Sequence, residues 1–210
     1  MIRRAFLAGT VALLGAAPAS ATSFRFQLHA AYYSRHMEID PAVDPQVFVP
    51  DRNVTVGGIG LEGIEHVAGL RALRLNDPDL GLYTAEGAQM GFTSSRWTAG
   101  AGTGSIAALD DGSERIKLEF TNLVVFGAYS LLKKFAGASG DVYVPLDGSG
   151  NANVFTADDT GRATLNIVSP QPLGAKSAIL AVYHSDGKPK TQRSGTIGTT
   201  SHDHLIAPLR

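Results

Sequence analysis

The chain has 210 residues, with 18 basic and 19 acidic side chains, a formal charge of −1 and no cysteine. The lack of cysteine excludes disulfide bonds, thiolate metal sites and thiol catalysis. The near balance of charge gives no reason to expect nucleic acid or an anionic membrane surface as a partner. A chain of this length is expected to form one domain with a complete core.

The N-terminus has the organisation of a secretory signal peptide, residues 1–21. Arg3 and Arg4 form a positive end, residues 5–17 form an apolar run, and residues 19–21 read Ala-Ser-Ala, as at a cleavage site. The run is shorter than the about 20 apolar residues that span a membrane. The sequence therefore predicts an exported protein, periplasmic or extracellular, whose mature chain has no transmembrane segment.

Residues 3–7 also resemble the twin-arginine signal, whose core reads R-R-x-F-L. That resemblance implies export of an already folded protein. Paired arginines serve equally as a general positive end, and the apolar Ile2 precedes them here, so the ordinary unfolded route is the favoured prediction. Residues 1–21 hold two arginines and no acids, which leaves 16 basic and 19 acidic residues and a formal charge of −3.

The remaining chain is dominated by the patterns of β-strands. Residues 115–121 alternate strictly between apolar and polar, and residues 162–168 repeat this pattern. Residues 178–183 are apolar on both faces, which predicts a strand covered on both sides. Residues 80–84 and 89–93 flank a turn of hairpin length. Short strands separated by turns predict an all-β fold, an antiparallel β-sandwich of the immunoglobulin-like or jelly-roll kind.

Tyr129 follows the end of a predicted strand, Leu123, by six residues. This spacing resembles the tyrosine corner of immunoglobulin and fibronectin type III sandwiches, in which the tyrosine hydroxyl hydrogen-bonds to the backbone upstream. Val125 stands where fibronectin modules usually have proline. The resemblance covers residues 113–185, and it implies a fold and not a function.

The N-terminal part of the predicted domain, residues 22–78, is less regular. Residues 23–33 suit a strand, and prolines 41, 45 and 50 exclude a helix from the loop that follows. Residues 61–75 fit either a short helix near 61–70 or an irregular strand, because two glycines weaken the helical stripe. We expect a single β-sandwich domain over residues 22–210.

Two histidines near the C-terminus are the leading candidates for chemistry. His202 and His204 are two residues apart and would share one face of a strand, and imidazole binds Cu and Zn well. If the last strand pairs with the strand that ends at His184, a three-histidine metal site becomes feasible, with Asp186 and Asp203 as orienting groups. The alternative is that the pair forms the polar face of an edge strand.

Three further patterns each have a structural alternative. Residues 147–153 with Asp158 place oxygen side chains at calcium-loop spacing, but they lack the central glycine and the final glutamate, which favours a polar hairpin loop. Residues 58–63 match G-x-G-x-x-G without the βαβ unit that a nucleotide site needs. Trp97 could form a sugar-binding platform or a buried core ring.

The sequence contains no G-x-S-x-G nucleophile elbow and no acid pair of the glycosidase kind. The leading functional prediction is a non-catalytic module of the cell envelope that binds an unknown protein or glycan through its loops. One alternative is a metalloprotein that uses His184, His202 and His204. A carbohydrate-binding module around Trp97 is the other.

Overall fold

The computed structural model describes residues 21–191 and 195–209. The predicted signal peptide lies outside these residues, except for Ala21. The described strands are β1 (Thr22–Leu28), β2 (Val43–Pro50), β3 (Gly58–Ile59), β4 (Glu65–His66), β5 (Leu70–Arg74), β6 (Gly81–Tyr83), β7 (Gln89–Thr93), β8 (Ala101–Ala108), β9 (Glu114–Thr121), β10 (Ala128–Gly137), β11 (Gly140–Pro145), β12 (Val154–Thr156), β13 (Ala163–Ser169), β14 (Ala178–His184) and β15 (Ser201–Pro208). The helices are α1 (His29–His36) and α2 (Ser94–Thr98), with a 3-10 turn at Leu61–Gly63.

Nine of the described strands form one curled antiparallel sheet. Its order is β11-β10-β14-β15-β1-β8-β9-β13, and β12 pairs with the beginning of β10. β15 therefore lies between β14 and β1, and β14 lies between β10 and β15. β14 is paired along its length with both neighbours, whereas β1 pairs with β15 at Leu205 and Ile206.

A smaller antiparallel sheet, of order β5-β2-β6-β7, packs against the large one. Their shared core combines Val47 and Leu73 of the small sheet with Leu118 and Ala181 of the large sheet. Burial of this apolar surface stabilises the fold by about 25 cal/mol per Å² removed from water. The predicted all-β, sandwich-like architecture is confirmed.

A second apolar cluster covers the opposite face of the large sheet near β14. Leu132, Leu180 and Ile206 are buried there, and Tyr32 of α1 packs against them. α1 also contacts β2. The helix is thereby held over β15, where it forms one wall of the pocket described below.

The regular strands follow the sequence patterns. β9 buries Ile116, Leu118 and Phe120 and exposes the residues between them. β13 coincides with the second alternating segment, and all seven residues of β14 are buried, as predicted for a strand covered on both sides. The hairpin of β6 and β7 is also present, with Tyr83 opposite Gln89.

Tyr129 makes the hydrogen bond that the tyrosine corner implies. The backbone amide of Val124 donates to the Tyr129 hydroxyl over 3.2 Å, and the tyrosine is fully buried. β9 and β10, which this corner joins, are separated in the large sheet by β14, β15, β1 and β8. The bond fixes the start of β10 after the chain has crossed between distant strands.

The N-terminal third differs from the prediction in two places. β1 ends at Leu28, and residues 29–33, which suit a strand by sequence, form the first part of α1. The proline-rich segment predicted as a loop contains β2. Pro45 is accommodated because the register between β2 and β5 shifts between Asp44 and Phe48, where a regular ladder bond is not required.

Residues 61–75 combine the two predicted alternatives. Leu61–Gly63 forms one 3-10 turn, whereas β4 and β5 are short strands. β3 and β4 pair with each other as a small separate hairpin, with Gly58 opposite His66. Across the described ranges, the helices are too short to cross a bilayer.

Candidate functional site

The C-terminal histidines are buried and do not form a solvent-facing polar face, so the edge-strand alternative is wrong. His184, His202 and His204 are each at most 1% exposed. His202 pairs directly with Tyr183 and therefore shares its face of the sheet, whereas His184, the next residue, points to the opposite face. β14 and β15 do pair antiparallel, as the metal hypothesis required, but that pairing places His184 and His202 on different faces.

His204 occupies a β-bulge and links three elements. Ala181 pairs with Leu205 and Val182 pairs with Asp203, so His204 is the extra residue between them. Its Nε2 is 2.7 Å from the carbonyl oxygen of Trp97, and its Nδ1 is 3.1 Å from the Tyr129 hydroxyl.

The other two histidines are also hydrogen-bonded within the protein. His202 Nδ1 donates to the carbonyl oxygen of Gln46 over 2.9 Å, and its Nε2 is 3.3 Å from Ser185 Oγ. His184 Nε2 is 2.8 Å from Ser130 Oγ, and its Nδ1 is 3.3 Å from the Ser201 hydroxyl. All six ring nitrogens of the predicted metal site therefore have protein partners.

Burial lowers the pKa of each of these three imidazoles to about 4, so they are neutral in the folded protein at pH 7. Among residues 21–191 and 195–209, no three His, Asp or Glu side chains are grouped so as to hold a metal ion. The structure thus gives the Cu or Zn hypothesis no preformed site at His184, His202 and His204.

Trp97 is 1% exposed. It is therefore a buried core ring, the alternative to a sugar-binding platform. Its ring stacks on His204 with the ring centroids 3.8 Å apart. Its Nε1 donates to Asp44 Oδ2 over 2.8 Å. The tryptophan therefore offers no face to a ligand in solution.

The possible calcium ligands serve two separate turns. The Asp147 carboxylate accepts hydrogen bonds from the backbone amides of residues 150–152 and from Ser149 Oγ. Asp158 accepts bonds from Thr160 and from the amide of Arg162. These contacts are those of polar turns, the alternative favoured by sequence.

The G-x-G-x-x-G segment, residues 58–63, forms the β3 strand and the 3-10 turn of a small hairpin, and β4 follows it. A dinucleotide site would require a strand, a tight turn and a helix whose N-terminus faces phosphate. The segment instead provides Glu62, which contributes to the pocket beside α1.

A pocket of about 390 Å³ opens between α1, the 3-10 turn and the large sheet; we call it the α1 pocket. One wall is a stripe of ring side chains, which we call the ring stripe: His29, Tyr32, Tyr33 and His36. Their spacing of i, i+3, i+4 and i+7 places them on one face of the helix. Tyr32 lies parallel to His36 at a centroid distance of 6.4 Å, and His29 is 6.3 Å from Tyr33.

Carboxylates face the ring stripe from other elements. Glu62, in the 3-10 turn, and Asp203, in β15, both line the pocket. Asp141 lines it too, but its Oδ2 forms an ion pair of 2.8 Å with Lys134 Nζ. The charge of Lys134 is therefore largely balanced by Asp141.

A buried glutamine connects the two other carboxylates. Gln46 Nε2 donates to Glu62 Oε2 over 2.8 Å and to Asp203 Oδ2 over 3.2 Å, and Gln46 Oε1 accepts the Asp203 backbone amide over 2.7 Å. Because an amide is neutral, these bonds orient the carboxylates without cancelling their charge. The network holds the 3-10 turn against β15.

His29, the first residue of α1, is 5% exposed and lines the pocket. Its Nε2 is 3.8 Å from Asp203 Oδ2, too far for a hydrogen bond but close enough for an electrostatic interaction. Its Nδ1 is buried and has no hydrogen-bond partner among the described residues. An unpaired buried nitrogen is unfavourable and needs a physical explanation.

Negative charge at the pocket also affects neighbouring groups. Burial raises the pKa of Tyr33, and the nearby Glu62 raises it further. Burial raises the pKa of Asp44 to about 6, with Glu62 again contributing, although hydrogen bonds from Trp97 and Gln46 oppose the shift. Glu62 itself has φ of 56°, in the left-handed region that non-glycine residues rarely adopt, and such strain is concentrated at functional sites.

The α1 pocket was not predicted from the sequence, although Asp203 was predicted as an orienting group for a metal. The signal was present in the helical spacing of His29, Tyr32, Tyr33 and His36. It was overlooked because tyrosines favour strands and the segment continues an alternating strand pattern.

No family model, curated protein or solved structure matches this chain. The geometry and the charge of the α1 pocket are therefore the basis for a functional proposal.

Proposed function

We propose that the protein is an exported β-sandwich module of the cell envelope that binds a small polar ligand in the α1 pocket. The observation that carries the proposal is the ring stripe of α1 facing the carboxylates of Glu62 and Asp203 across a cavity of about 390 Å³. Binding sites typically combine aromatic walls with a few oriented polar groups.

Export is supported by the signal-peptide pattern of residues 1–21 and by the position of β1. β1 begins at Thr22, directly after the predicted cleavage site. All the described strands therefore lie on the C-terminal side of that site. Cleavage there would remove none of the described strands. A soluble periplasmic or extracellular binding module is the class of protein that fits both features.

A binding role fits the pocket better than a catalytic one. Catalysis by a nucleophile requires a hydroxyl or similar group activated by an adjacent base. The described residues that line the α1 pocket include no serine or threonine whose hydroxyl could take this role.

The proposal is tested by a thermal-shift screen of the exported protein against sugars, amino acids, amines and carboxylic acids. A ligand that binds only the native state raises the melting temperature by mass action. We expect at least one compound to raise it in the wild-type protein and to raise it less in Tyr32→Ala. Phe126→Ala removes an exposed ring that does not line the α1 pocket and serves as the matched control, in which the ligand-induced shift should be retained. A panel without effect, or a shift equal in all three proteins, would contradict the proposal.

A further inference from the structure

A second pocket, of about 310 Å³, opens between α2, β7, the start of β10 and the end of β14; we call it the Arg96 pocket. Its walls include the side chains of Arg96, Phe92, Phe126 and Tyr183. None of these residues lines the α1 pocket. The volume is at the lower end of the range of about 300–1,000 Å³ for small-molecule sites, so the pocket suits a small ligand.

The positive charge of Arg96 has no carboxylate partner. The residue is half-buried, and within residues 21–191 and 195–209 no Asp or Glu side chain forms an ion pair with it. The described lining of the pocket contains no acidic residue. Asp186 lies next to the pocket in sequence, but its carboxylate is paired with Lys190 Nζ at 3.1 Å. Because a guanidinium does not lose its charge and is costly to bury unpaired, an anion in the pocket would be stabilised.

The protein fixes the inner side of the guanidinium without balancing its charge. Gly161 has φ of 74°, and a Cβ at this position would collide with Arg96 Nη2. Nη2 is buried and has no hydrogen-bond acceptor among the described residues. Asp158, in the same turn as Gly161, accepts the backbone amides of Thr160 and Arg162 with its Oδ1. Compensation of the charge must therefore come from the side that faces the pocket.

The remaining walls of the pocket are largely apolar and aromatic. Phe126 is 68% exposed, and its φ of 53° lies in the left-handed region that bulky residues rarely adopt. Phe92 and Tyr183 meet edge to face, with their ring centroids 5.6 Å apart. An inorganic anion would not use these rings, whereas the apolar body of an organic anion would cover them.

We propose that the Arg96 pocket binds a small organic carboxylate, with the carboxylate on the Arg96 guanidinium and an apolar or aromatic body against Phe92 and Phe126. The planar guanidinium matches the geometry of a carboxylate and forms charge-assisted hydrogen bonds with it. The site is separate from the α1 pocket, so it adds a second ligand to the proposed binding function and does not depend on the first.

Calorimetric titration with 3-phenylpropionate and with 3-phenylpropanamide tests this proposal, because the amide keeps the shape of the acid and lacks its charge. We expect the carboxylate to bind at least about tenfold more tightly than the amide, since hydrogen bonds between two charged groups are the stronger ones. Acetate, which has the charge without the aromatic body, should also bind at least about tenfold more weakly than 3-phenylpropionate.

Variants assign the binding to the pocket. Arg96→Gln should weaken 3-phenylpropionate at least about tenfold and remove the preference for the acid over the amide. Phe126→Ala removes an exposed ring without disturbing the core and should weaken binding about three- to fivefold. Arg115→Gln removes a guanidinium from an exposed position of β9 outside the pocket and should leave the affinity unchanged. Melting temperatures of the variants without ligand verify that each is folded.

The possible failures are distinguishable. If the amide binds as tightly as the acid, or acetate as tightly as 3-phenylpropionate, the pocket does not recognise an apolar carboxylate and the inference is overturned. Affinity that is unchanged in both Arg96→Gln and Phe126→Ala, or absence of binding to the wild-type protein, overturns it as well. Binding of 3-phenylpropionate that is lost in Tyr32→Ala and retained in Phe126→Ala would place the carboxylate in the α1 pocket, which overturns this inference and supports the proposed function.

Discussion

His204 makes two hydrogen bonds that together define one neutral tautomer. The Trp97 carbonyl only accepts, so His204 Nε2 carries the hydrogen, and Nδ1 accepts from the Tyr129 hydroxyl. The oxygen of that hydroxyl accepts the Val124 amide in turn. A continuous chain of bonds therefore joins β15, α2 and β10 through a single imidazole, and His204 has a structural role that needs no metal.

This role predicts that His204→Leu destabilises the protein by about 2–4 kcal/mol, because the Trp97 carbonyl and the Tyr129 hydroxyl would remain buried without that partner. Urea unfolding followed by tryptophan fluorescence measures the loss. His36→Ala, at an exposed position of α1, is the control and should change stability by less than about 0.5 kcal/mol.

The same variants separate the structural role from a metal site. We expect the loss in His204→Leu to be equal in EDTA and in added Zn²⁺ or Cu²⁺. A destabilisation that occurs only when metal is present would instead support the three-histidine hypothesis and contradict the structural role.

At the level of elements, the strands that alternate regularly were predictable and the irregular ones were not. β9 and β13 each have one more buried and one more exposed face, so the alternation of apolar and polar residues predicts which side chains face the core. β2 was not predicted because Pro45 argues against a regular strand. The register shift that accommodates this proline depends on the pairing of β2 with β5. α1 was not predicted because its sequence continues the strand pattern of β1, so the helical spacing of its ring side chains was outweighed; in the structure the helix packs on β2 and β15. The H-x-H spacing predicted a shared face for His202 and His204, but it did not predict their burial or the β-bulge at His204.

A second element depends on alternating glycines. Gly102 and Gly104 in β8, and Gly100 directly before it, leave space for rings on neighbouring segments. A Cβ at Gly102 would lie 2.6 Å from Phe120 Cδ1 and 3.0 Å from Phe26 Cδ2, and at Gly104 it would collide with Phe24. These glycines allow aromatic side chains to pack directly on the backbone of the strand.

Gly102→Ala should therefore destabilise the protein by about 1–3 kcal/mol, because an additional methyl group would force Phe120 and Phe26 from their positions. The matched control is Gly81→Ala in β6, where a Cβ would meet nothing within 4 Å. There we expect no loss, or a gain of up to about 1 kcal/mol from reduced freedom of the unfolded chain. Equal effects in thermal unfolding of the two variants would refute the packing role of the β8 glycines.

For the whole molecule, export is predicted to follow the ordinary unfolded route and to yield a protein that begins at Thr22. Intact mass of the protein recovered from the periplasm or medium measures the cleavage site. In the double variant Arg3→Lys with Arg4→Lys, the positive end is retained, so export should continue. Loss of export in this variant would show that the twin-arginine resemblance is functional.

The buried titratable groups predict a loss of stability in acid. Burial lowers the pKa of His184, His202 and His204 to about 4, so between about pH 6 and pH 4 the unfolded chain takes up three protons that the folded protein resists. Asp44 acts in the opposite sense: its pKa is raised to about 6, so the folded protein binds one proton more readily than the unfolded chain. The net difference is about two protons.

The free energy of unfolding should consequently fall as the pH is lowered through this window, by about 3 kcal/mol per pH unit at its steepest. Urea titrations at intervals from pH 7.5 to pH 4.5 measure the slope. His204→Leu should have a slope lower by about 1.4 kcal/mol per pH unit, because one of the three imidazoles is absent. Stability that is constant or increases over this range would contradict the neutral, buried state of the histidines.

The most direct test of the account is to map the binding site on the exported protein by chemical-shift perturbation. The protein is labelled with ¹⁵N and titrated with the compound that raises its melting temperature most in the thermal-shift screen. Binding in the α1 pocket should give the largest amide shifts in α1, in the 3-10 turn around Glu62 and at Asp203, and these shifts should saturate with ligand concentration. Absence of saturable shifts in these three segments, or shifts centred elsewhere in the molecule, would contradict a ligand site at the α1 pocket.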